Sequence, residues 1–253
     1  MGYHKDENGY TPAKLFVEQR VIPLETYPGR KGANGAWQKI VSNIPQCDLF
    51  IEAMAGSAFL SSMISGCSIV INDIDRSIID KISYPSETVH FSSQDYECII
   101  DRYDNGNKRR IFYFDPPYVF DTRSYQLPIY KYDWNIADHK RFLKLVVKMK
   151  CPVMVSHYPC DMYDKALKNW RKITYNNMTR VGIRKESLYM NFKQPALLQH
   201  PEHVGEDFTD RQRIKRKIAR LVAKLNREDE HERAAILTSV VKNFDYIKGK
   251  NTV

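Results

Sequence analysis

Four short apolar runs in the first half of the chain each lead into acidic residues. They fall within residues 49–51, 68–75, 89–96 and 111–114. Apolar runs of this length predict buried strands, and ligands bind at the carboxyl ends of the strands in doubly wound sheets. The pattern therefore predicts an α/β fold with a doubly wound, Rossmann-like sheet, in which ligand-binding groups at four strand ends share one crevice.

The remaining pattern predicts the elements around this sheet. Helical spacing favours helices over residues 11–21, 35–44, 138–150 and 160–170. A strand is expected from Pro152 to Ser156, and a β-hairpin between Thr174 and Phe192. These elements predict one α/β domain over residues 1–205, followed by a helical tail over residues 206–253.

The tail is predicted to begin with a basic amphipathic helix. Thr209 to Gln212 fits a capping box, and Ile214, Ile218, Leu221, Val222 and Leu225 form one apolar stripe. A second helix over residues 234–244 is expected to pack antiparallel on the first through Leu237, Val240 and Val241. The basic face can serve as a solvated surface, a phosphate-binding surface or a dimer contact. Its eight cations are Arg211, Arg213, Lys215, Arg216, Lys217, Arg220, Lys224 and Arg227.

Composition narrows the class of protein. A hydrophobic content of 43% suits a globular protein, and no stretch approaches the roughly 20 apolar residues of a membrane span. Five scattered cysteines without a C-x-x-C pair predict neither a disulfide framework nor a metal site, which favours a cytoplasmic protein. A formal net charge of +9 favours a polyanionic partner.

The segment Asp115-Pro116-Pro117-Tyr118 carries the most distinctive chemistry. Two consecutive prolines fix φ and lack N–H groups, so the carbonyls of Asp115 and Pro116 can face a ligand. Tyr118 adds an aromatic face for stacking. Together these groups suit chemistry on a planar amino group, although a strand that simply ends in a Pro-Pro turn has the same sequence.

Two further segments predict a cofactor site. Ala55 to Ala58 is a turn of small residues expected to open a helix, and such a turn lets a ligand approach the backbone closely. Asp73 follows the second strand, where doubly wound sheets hold a ribose hydroxyl pair. Asp95 and Tyr96 place an acid and an aromatic ring after the third.

These motifs resemble those of Dam-type (D12 class) DNA adenine N6-methyltransferases, particularly the compact forms of phages and prophages. Tyr27 to Gly32 resembles the N-terminal Y-P-G-G-K-G motif, and Phe50 to Ala58 resembles the cofactor loop E-P-F-x-G-x-G. Asn72 to Asp75 is similar to the acidic ribose motif, and Asp115 to Tyr118 to the catalytic D-P-P-Y. The resemblance spans nearly the whole chain.

The resemblance implies S-adenosylmethionine (SAM) as cofactor and double-stranded DNA as partner. It implies that Asp115 and the Pro116 carbonyl accept the amino hydrogens of a flipped-out adenine, with Pro117 completing the turn and Tyr118 stacking on the base. A monomer or weak dimer in a bacterial or phage-infected cell is expected, with DNA phosphates bound by the basic tail. The implied cofactor contacts are Tyr27, Lys31, Glu52, Ala55, Gly56, Ser57, Asp73, Asp95, Tyr96 and Asp115.

Departures from the family pattern leave alternatives open. Ala53 and Met54 replace Pro and Phe, Arg30 replaces a glycine, and Ala58 replaces the second glycine of the loop. A methyl group at position 58 is expected to crowd SAM if the turn needs φ above zero. A degenerate methyltransferase fold kept for DNA binding is therefore one alternative, and an RNA adenine or cytosine-N4 methyltransferase is another.

The chain also lacks room for a large target-recognition domain. In the family such a domain precedes D-P-P-Y, whereas here only the fourteen residues from Glu97 to Arg110 are available. Base readout needs rigidly held side chains in the major groove. We therefore expect low sequence specificity, unless the basic tail or the hairpin at Thr174 to Phe192 has taken over this role.

Overall fold

A seven-stranded mixed sheet forms the centre of the computed structural model, which describes residues 21, 23–24, 27–32, 35–83, 87–123, 128–179 and 182–243. The strand order is β3-β2-β1-β4-β5-β7-β6. Strands β1 to β5 run parallel to one another, and β7 runs antiparallel to both β5 and β6. The strands are β1 (Leu49–Glu52), β2 (Ser68–Asn72), β3 (Val89–Ser92), β4 (Arg110–Phe114), β5 (Val153–His157), β6 (Arg171–Thr179) and β7 (Gly182–Met190).

Helices cover both faces of the sheet and form the tail. On one face α1 packs against the sheet, and on the other face α3, α4 and α5 do so. No described helix is both long and apolar enough to cross a membrane. The helices are α1 (Ala36–Val41), α2 (Arg76–Ile79), α3 (Tyr96–Tyr103), α4 (Ile136–Val146), α5 (Asp161–Ala166), α6 (Phe208–Leu225) and α7 (Glu230–Asn243).

The alternation of side chains along β4 shows how the two faces are filled. Ile111 and Tyr113 belong to the core on the α1 face, whereas Phe112 and Phe114 pack on the α4 face with Phe142. These four residues are fully buried. A strand covered on both faces needs an uninterrupted apolar run, which is why the pattern of β4 was legible in the sequence. The predicted doubly wound α/β fold is confirmed.

The order of the strands places a crevice at their carboxyl ends. β1 pairs with β2 on one side and β4 on the other, so chain connections leave it in opposite directions. Doubly wound sheets bind ligands at such a reversal. The residues that follow β1, β2, β3 and β4 therefore converge, as the sequence predicted.

Two predicted helices differ in the structure. The turn at Ala55 to Ala58 opens no α-helix, since only a 3₁₀ turn at Ser61–Met63 follows it. The tail helix α6 begins at Phe208, and its N-cap is Asp207, whose side chain accepts a hydrogen bond from the Asp210 backbone N–H. The predicted capping box at Thr209 to Gln212 is therefore wrong by two residues. The helix predicted over residues 11–21 lies outside the described residues, apart from Val21.

The predicted packing of the two tail helices is also wrong. The apolar side chains meant to join them are exposed, Leu221 by 61% and Leu237 by 47%. An acidic stretch separates the two helices along the chain. Both apolar stripes thus remain uncovered within the described chain.

Candidate active site

A cavity with about 980 Å³ of empty space lies at the carboxyl ends of β1 to β4. The small-residue turn after β1 forms one wall, and residues after β2, β3 and β4 form the others. Pro116 and Tyr118 lie beside the cavity and do not line it. The predicted site residues that line it are Tyr27, Lys31, Glu52, Ala55, Gly56, Ser57, Asp73, Asp95, Tyr96, Asp115 and Pro117.

Backbone donors hold the carboxylate of Asp73. One oxygen accepts a hydrogen bond from the Gly56 N–H at 2.8 Å, and the other accepts from the Asp75 N–H at 2.9 Å. Burial raises the pKa of Asp73, while these two bonds oppose the shift. Each carboxylate oxygen has two lone pairs, so one on each remains available to a ligand in the cavity.

The turn after β1 depends on a glycine at position 56. Gly56 has φ of +48°, and a Cβ placed there would lie 2.5 Å from Cε1 of Tyr27. The Tyr27 ring in turn packs against Tyr130, with 6.0 Å between ring centroids. The absence of a side chain thus lets Tyr27 close one wall of the cavity directly over the backbone.

Glu52 is the most deeply buried of the acids that line the cavity. Its Oε2 atom accepts hydrogen bonds from the backbone N–H of Ser61, at 2.9 Å, and from the Ser61 hydroxyl. Burial raises the pKa of Glu52 to about 8, although both bonds oppose the shift. The side chain is therefore mostly protonated at neutral pH without a ligand, and a cationic group placed beside it would favour its ionised form.

Asp95 and Tyr96 are placed by the start of α3. Asp95 is the N-cap of the helix, and its side chain accepts a hydrogen bond from the Glu97 N–H at 2.9 Å. The Tyr96 ring packs edge-on against Phe142. It also packs at a tilt against Trp134, with 5.5 Å between the Tyr96 and Trp134 ring centroids. The local helix start therefore presents an acid and an aromatic ring to the cavity together.

Asp115, at the end of β4, has one occupied and one open carboxylate oxygen. Its Oδ1 atom lies 3.0 Å from Lys31 Nζ and accepts a hydrogen bond from Ser156 Oγ at 2.9 Å. Tyr113 OH lies 2.7 Å from the same hydroxyl. Among the described residues nothing donates to Oδ2, and the side chain is 21% exposed. An acceptor of this kind at the cavity wall is available to an N–H group of a ligand.

Lys31, Tyr118 and Glu186 form a buried network beside Asp115. Lys31 donates hydrogen bonds to Glu186 and Tyr118, and the Tyr118 hydroxyl donates to Glu186. Asn177 Nδ2 donates to the other Glu186 oxygen at 3.0 Å. Glu186 is fully buried, and Lys31 is nearly so. One ammonium group thus faces two carboxylates, those of Asp115 and Glu186.

The electrostatics of this network follow from burial and charge. Burial acts to lower the pKa of Lys31, but Asp115 and Glu186 outweigh it and raise the value. Burial raises the pKa of both Asp115 and Glu186, while Lys31 opposes the shift. Lys31 therefore stays charged, and its ammonium group lowers the free-energy cost of ionising the buried Asp115.

Sequence reasoning missed the importance of Glu186. Nothing in the sequence pattern of Arg184 to Asn191 connects position 186 with position 31. The one signal in the sequence was an acid within the predicted hairpin, directly before Ser187 to Met190. The structure buries all four of these residues. A charged residue in such a strand needs a buried partner.

His139 and His157 are fully buried and contact neighbouring groups. His157 Nε2 accepts a hydrogen bond from the Val119 N–H at 3.0 Å, which fixes the chain just after Tyr118. Its other ring nitrogen lies 2.7 Å from the Tyr158 carbonyl. Burial lowers the pKa of His157 to about 3 and that of His139 to about 4, so both rings are neutral.

The loop from Val119 to Trp134 is partly built around a buried ion pair. Arg123 binds the Asp133 carboxylate, with 2.6 Å between Nη1 and Oδ2. Its Nε also donates a hydrogen bond to the Tyr118 carbonyl at 2.6 Å. Tyr130, Tyr132 and Trp134 line the cavity, while Tyr125 lies outside the described residues. The aromatic residues of this loop therefore form part of the cavity wall.

The backbone conformation of Ala58 shows whether the turn after β1 needs φ above zero. Its φ is +54°, so the turn does need the left-handed conformation. The side chain is fully buried in the core on the α1 face and does not line the cavity. The methyl group thus costs backbone strain, but the expected crowding of the ligand site is wrong. The guanidinium of Arg30, another of the four departures, lies over the Phe59 ring, with 4.7 Å between its Cζ atom and the ring centroid.

None of the predicted phosphate-binding residues of α6 lines the cavity. Arg211 is half-buried, whereas the other six are exposed along the helix: Arg213, Lys215, Arg216, Lys217, Arg220 and Lys224. The structure keeps these cations on a surface separate from the cavity.

No protein-family model and no curated protein matches the sequence. Solved structures resemble parts of the fold. An rRNA methylase from Streptococcus thermophilus is 13% identical, with a TM-score of 0.36, over 62% of this chain and 92% of its own. Magnesium protoporphyrin IX methyltransferase from Synechocystis, with bound SAM, is 13% identical, with a TM-score of 0.36, over 61% of this chain and 75% of its own.

The catalytic domain of hMettl16, in complex with a MAT2A 3′UTR hairpin, is 10% identical, with a TM-score of 0.39. The match covers 64% of this chain and 70% of that domain. At such low identity the likeness concerns the α/β fold alone. The chemistry of this chain must be argued from its own cavity.

Proposed function

We propose that this chain is a SAM-dependent DNA adenine-N6 methyltransferase of low sequence specificity. The observation that carries the proposal is the open Oδ2 atom of Asp115 at the wall of the cavity, beside a second oxygen already held by Lys31 and Ser156. A planar amino group needs an acceptor of this kind, fixed before the ligand arrives.

The residues that line the cavity fit SAM part by part. Asp73 has lone pairs for the ribose hydroxyls, and Asp95 and Tyr96 suit the adenine ring. Glu52 and Arg30 line the same space and suit the ammonium and carboxylate ends of the methionine moiety. Gly56 lets the ligand approach the backbone where any side chain would collide with Tyr27. SAM, when bound, supplies a methyl group carried on a sulfonium.

The acceptor side of the site prepares the amino nitrogen. The N6 lone pair of adenine is delocalised into the ring, so the nitrogen is a poor nucleophile until both hydrogens are held in a pyramidal arrangement. We assign these hydrogens to Asp115 Oδ2 and the Pro116 carbonyl. Lys31 favours the ionised form of Asp115, and Pro117 fixes the turn that orients both acceptors.

The adenine has to leave the duplex to reach Asp115. Tyr118 is the proposed stacking platform, and its orientation is fixed because its hydroxyl is bonded to both Lys31 and Glu186. The Tyr158 ring lies edge-on to Tyr118, with 4.4 Å between centroids. A platform held at both its edge and its hydroxyl loses little entropy when a base stacks on it.

We propose that the seven cations of α6 from Arg211 to Lys224 supply sequence-independent affinity for DNA. This assigns the methyltransferase domain to residues 1–205 and the basic tail to residues 206–253. The short insert at Glu97 to Arg110 folds into α3 and the turn before β4, which leaves no recognition domain there. Low specificity follows from this arrangement.

The test is incubation with tritiated SAM and mixed-sequence DNA, followed by nucleoside analysis. Labelled N6-methyladenine is expected in many sequence contexts. Asp115→Ala should reduce transfer by roughly 10²-fold or more, because a preorganised acceptor is lost while no core volume changes. Asp121→Ala removes an exposed carboxylate a few residues away and should leave transfer unchanged.

Other products would replace parts of the proposal. Label in RNA alone, or in N4-methylcytosine, would change the acceptor, and SAM binding without transfer would indicate a degenerate enzyme. Removal of residues 209–253 should weaken DNA binding and flatten its salt dependence while SAM binding persists. A methylation map confined to one four-base or longer motif would contradict low specificity.

A further inference from the structure

The hairpin of β6 and β7 extends beyond the catalytic edge of the sheet. The last residue of β5, His157, pairs with Ser187, so β7 from Gly182 to Glu186 has no partner in β5. At about 3.4 Å per residue this overhang reaches about 17 Å past the end of β5. Asp115 follows β4, the other neighbour of β5, at the same edge. The end of the hairpin therefore stands directly beside the acceptor side of the site.

One face of the overhang is fastened to the site itself. Glu186 and its cross-strand partner Tyr175 share this face with the next pair but one, Asn177 and Arg184. Glu186 binds Lys31, and Arg184 lies close enough to Tyr158 for its positive charge to oppose the burial that raises the pKa of that phenol. The face thus forms a continuous wall from the amino-acceptor group outward.

This wall carries two buried polar atoms without a partner among the described residues. They are the hydroxyl of Tyr175, which is 6% exposed, and Oδ1 of Asn177, which is 7% exposed. An unpartnered polar atom at such depth is costly unless something else satisfies it. Neither residue lines the cavity, whereas Tyr175 lines an open groove on the hairpin, where a ligand can reach it.

The opposite face of the overhang is exposed and carries one cation. Lys185 and its cross-strand partner Asn176 are both exposed there. Together with Tyr175 they line an open groove that runs between the hairpin, α1 and the first turn of α6, where Arg211 and the exposed ring of Phe208 also lie. Glu206 and Asp207 border the same groove, and Glu206 is paired with Lys39. The groove therefore joins the hairpin to the basic tail.

We propose that the overhanging end of the β6–β7 hairpin binds the DNA strand on either side of the flipped base, with Lys185 on a phosphate and the Asn177 wall beside the target nucleotide. The inference rests on the proposed function, since it takes DNA as the substrate. Charge complementarity with a phosphodiester backbone, the register of the overhang and the two unpartnered atoms all favour that occupant. The hairpin would then take the place of the missing recognition domain.

The test is fluorescence anisotropy with a short fluorescein-labelled DNA duplex across a salt titration, which requires neither SAM nor methyl transfer. Lys185→Ala should weaken binding to all sequences alike and reduce the slope of log affinity against log salt by about one. Lys172→Ala is the matched control, because Lys172 lies at the other end of the same hairpin and is paired with Asp164. It should change neither quantity.

A gain-of-charge variant keeps the test independent of folding defects. Asn176→Lys adds a cation directly opposite Lys185 and should raise the salt slope by about one. Equal slopes for wild type and all three variants would overturn the hairpin interface. If the variants bind DNA normally and wild type still transfers methyl groups, the proposed function stands and only the hairpin interface is overturned. Binding that depends on Lys185 without any methyl transfer would remove the function and keep the interface. Preference for labelled RNA over the duplex would overturn DNA as the occupant.

Discussion

The two halves of the cavity are held together in different ways. In the cofactor half, formed by residues 52–61, 73–75 and 95–97, each carboxylate accepts a hydrogen bond from a backbone N–H close by along the chain. Glu52 bonds to Ser61, Asp95 to Glu97, and Asp73 to Asp75, while Asp73 also bonds to the N–H of the more distant Gly56. In the acceptor half, formed by Lys31, Asp115, Tyr118 and Glu186, the groups come from distant segments and bond through their side chains.

This difference predicts how each half fails. A carboxylate held by backbone N–H groups loses only its own contacts when it is replaced, because the donors keep their places in the loop. A network of side chains loses the position of every member when one is removed, and it leaves a buried charge behind. The acceptor half should therefore be the more fragile of the two.

Removal of Glu186 should give the largest effect. Glu186→Ala leaves Lys31 and the Tyr118 hydroxyl without their shared partner, and loss of one member of a buried ion pair costs about 3–5 kcal/mol. Glu186→Gln keeps the volume and an acceptor oxygen, so its loss should be smaller. Urea denaturation measures the free energy of unfolding for each variant.

An exposed ion pair in the cofactor half supplies the control for Glu186. Glu97 lies 2.8 Å from Arg141, and both side chains are more than one third exposed. Glu97→Ala should cost at most about 1 kcal/mol because solvent screens the pair. Similar losses for Glu97→Ala and Glu186→Ala would contradict the view that the acceptor half depends on buried charge.

Glu52 should make stability depend on pH. Its pKa in the folded protein, about 8, lies above the ordinary value of 4.5, so the folded state holds a proton that the unfolded state releases. The resulting stability is fully present below about pH 4.5 and is lost as pH rises toward 8, at about 1.4 kcal/mol per pKa unit. Glu52→Gln should show a smaller loss of stability than wild type over this window.

Denaturation at both ends of that window checks the expectation. Only the difference between wild type and Glu52→Gln counts, because burial also raises the pKa of Asp73, Asp115 and Glu186. Parallel pH curves for the two proteins would place the pKa of Glu52 near its ordinary value.

The same comparison explains what the sequence could predict. The strands and the acids at their ends were legible because a strand, a turn and the residue after it are neighbours along the chain. Asp73 and Asp115 follow their strands in this way. The contact between Lys31 and Glu186 could not be read from the sequence, since it joins a turn before α1 to the last strand, β7, which runs antiparallel beside β5.

The tail shows a second limit of prediction from sequence. Helical periodicity identified α6 and α7, but the same apolar stripe is compatible with packing in the chain or with an uncovered surface. Leu237 and Val240 lie on such a stripe and remain exposed. Periodicity gives the face of a helix and not its partner.

Asp73→Ala should weaken SAM binding by about 1.5–3 kcal/mol, the range for a charge-assisted hydrogen bond. The fold should persist, because the Gly56 and Asp75 N–H groups stay near the cavity, where water can reach them. Titration calorimetry measures the dissociation constant. Asp80→Ala, which breaks only an exposed pair with Arg76, should bind SAM as wild type does. An unchanged constant for Asp73→Ala would move the ribose site elsewhere.

The smallest effect is expected at Ala58, within the cofactor half. Its φ of +54° costs an L-residue about 1–2 kcal/mol, which glycine avoids. Ala58→Gly also loses a buried methyl worth about 0.8 kcal/mol and gains about 0.5–1 kcal/mol of unfolded-state entropy cost. These terms nearly cancel, so stability should change by less than about 1 kcal/mol, and SAM affinity should not change because the side chain faces the core. Gly56→Ala is the contrasting variant, since its Cβ would lie 2.5 Å from Tyr27 and should abolish SAM binding. Loss of SAM binding in Ala58→Gly would show that the methyl group shapes the cavity after all.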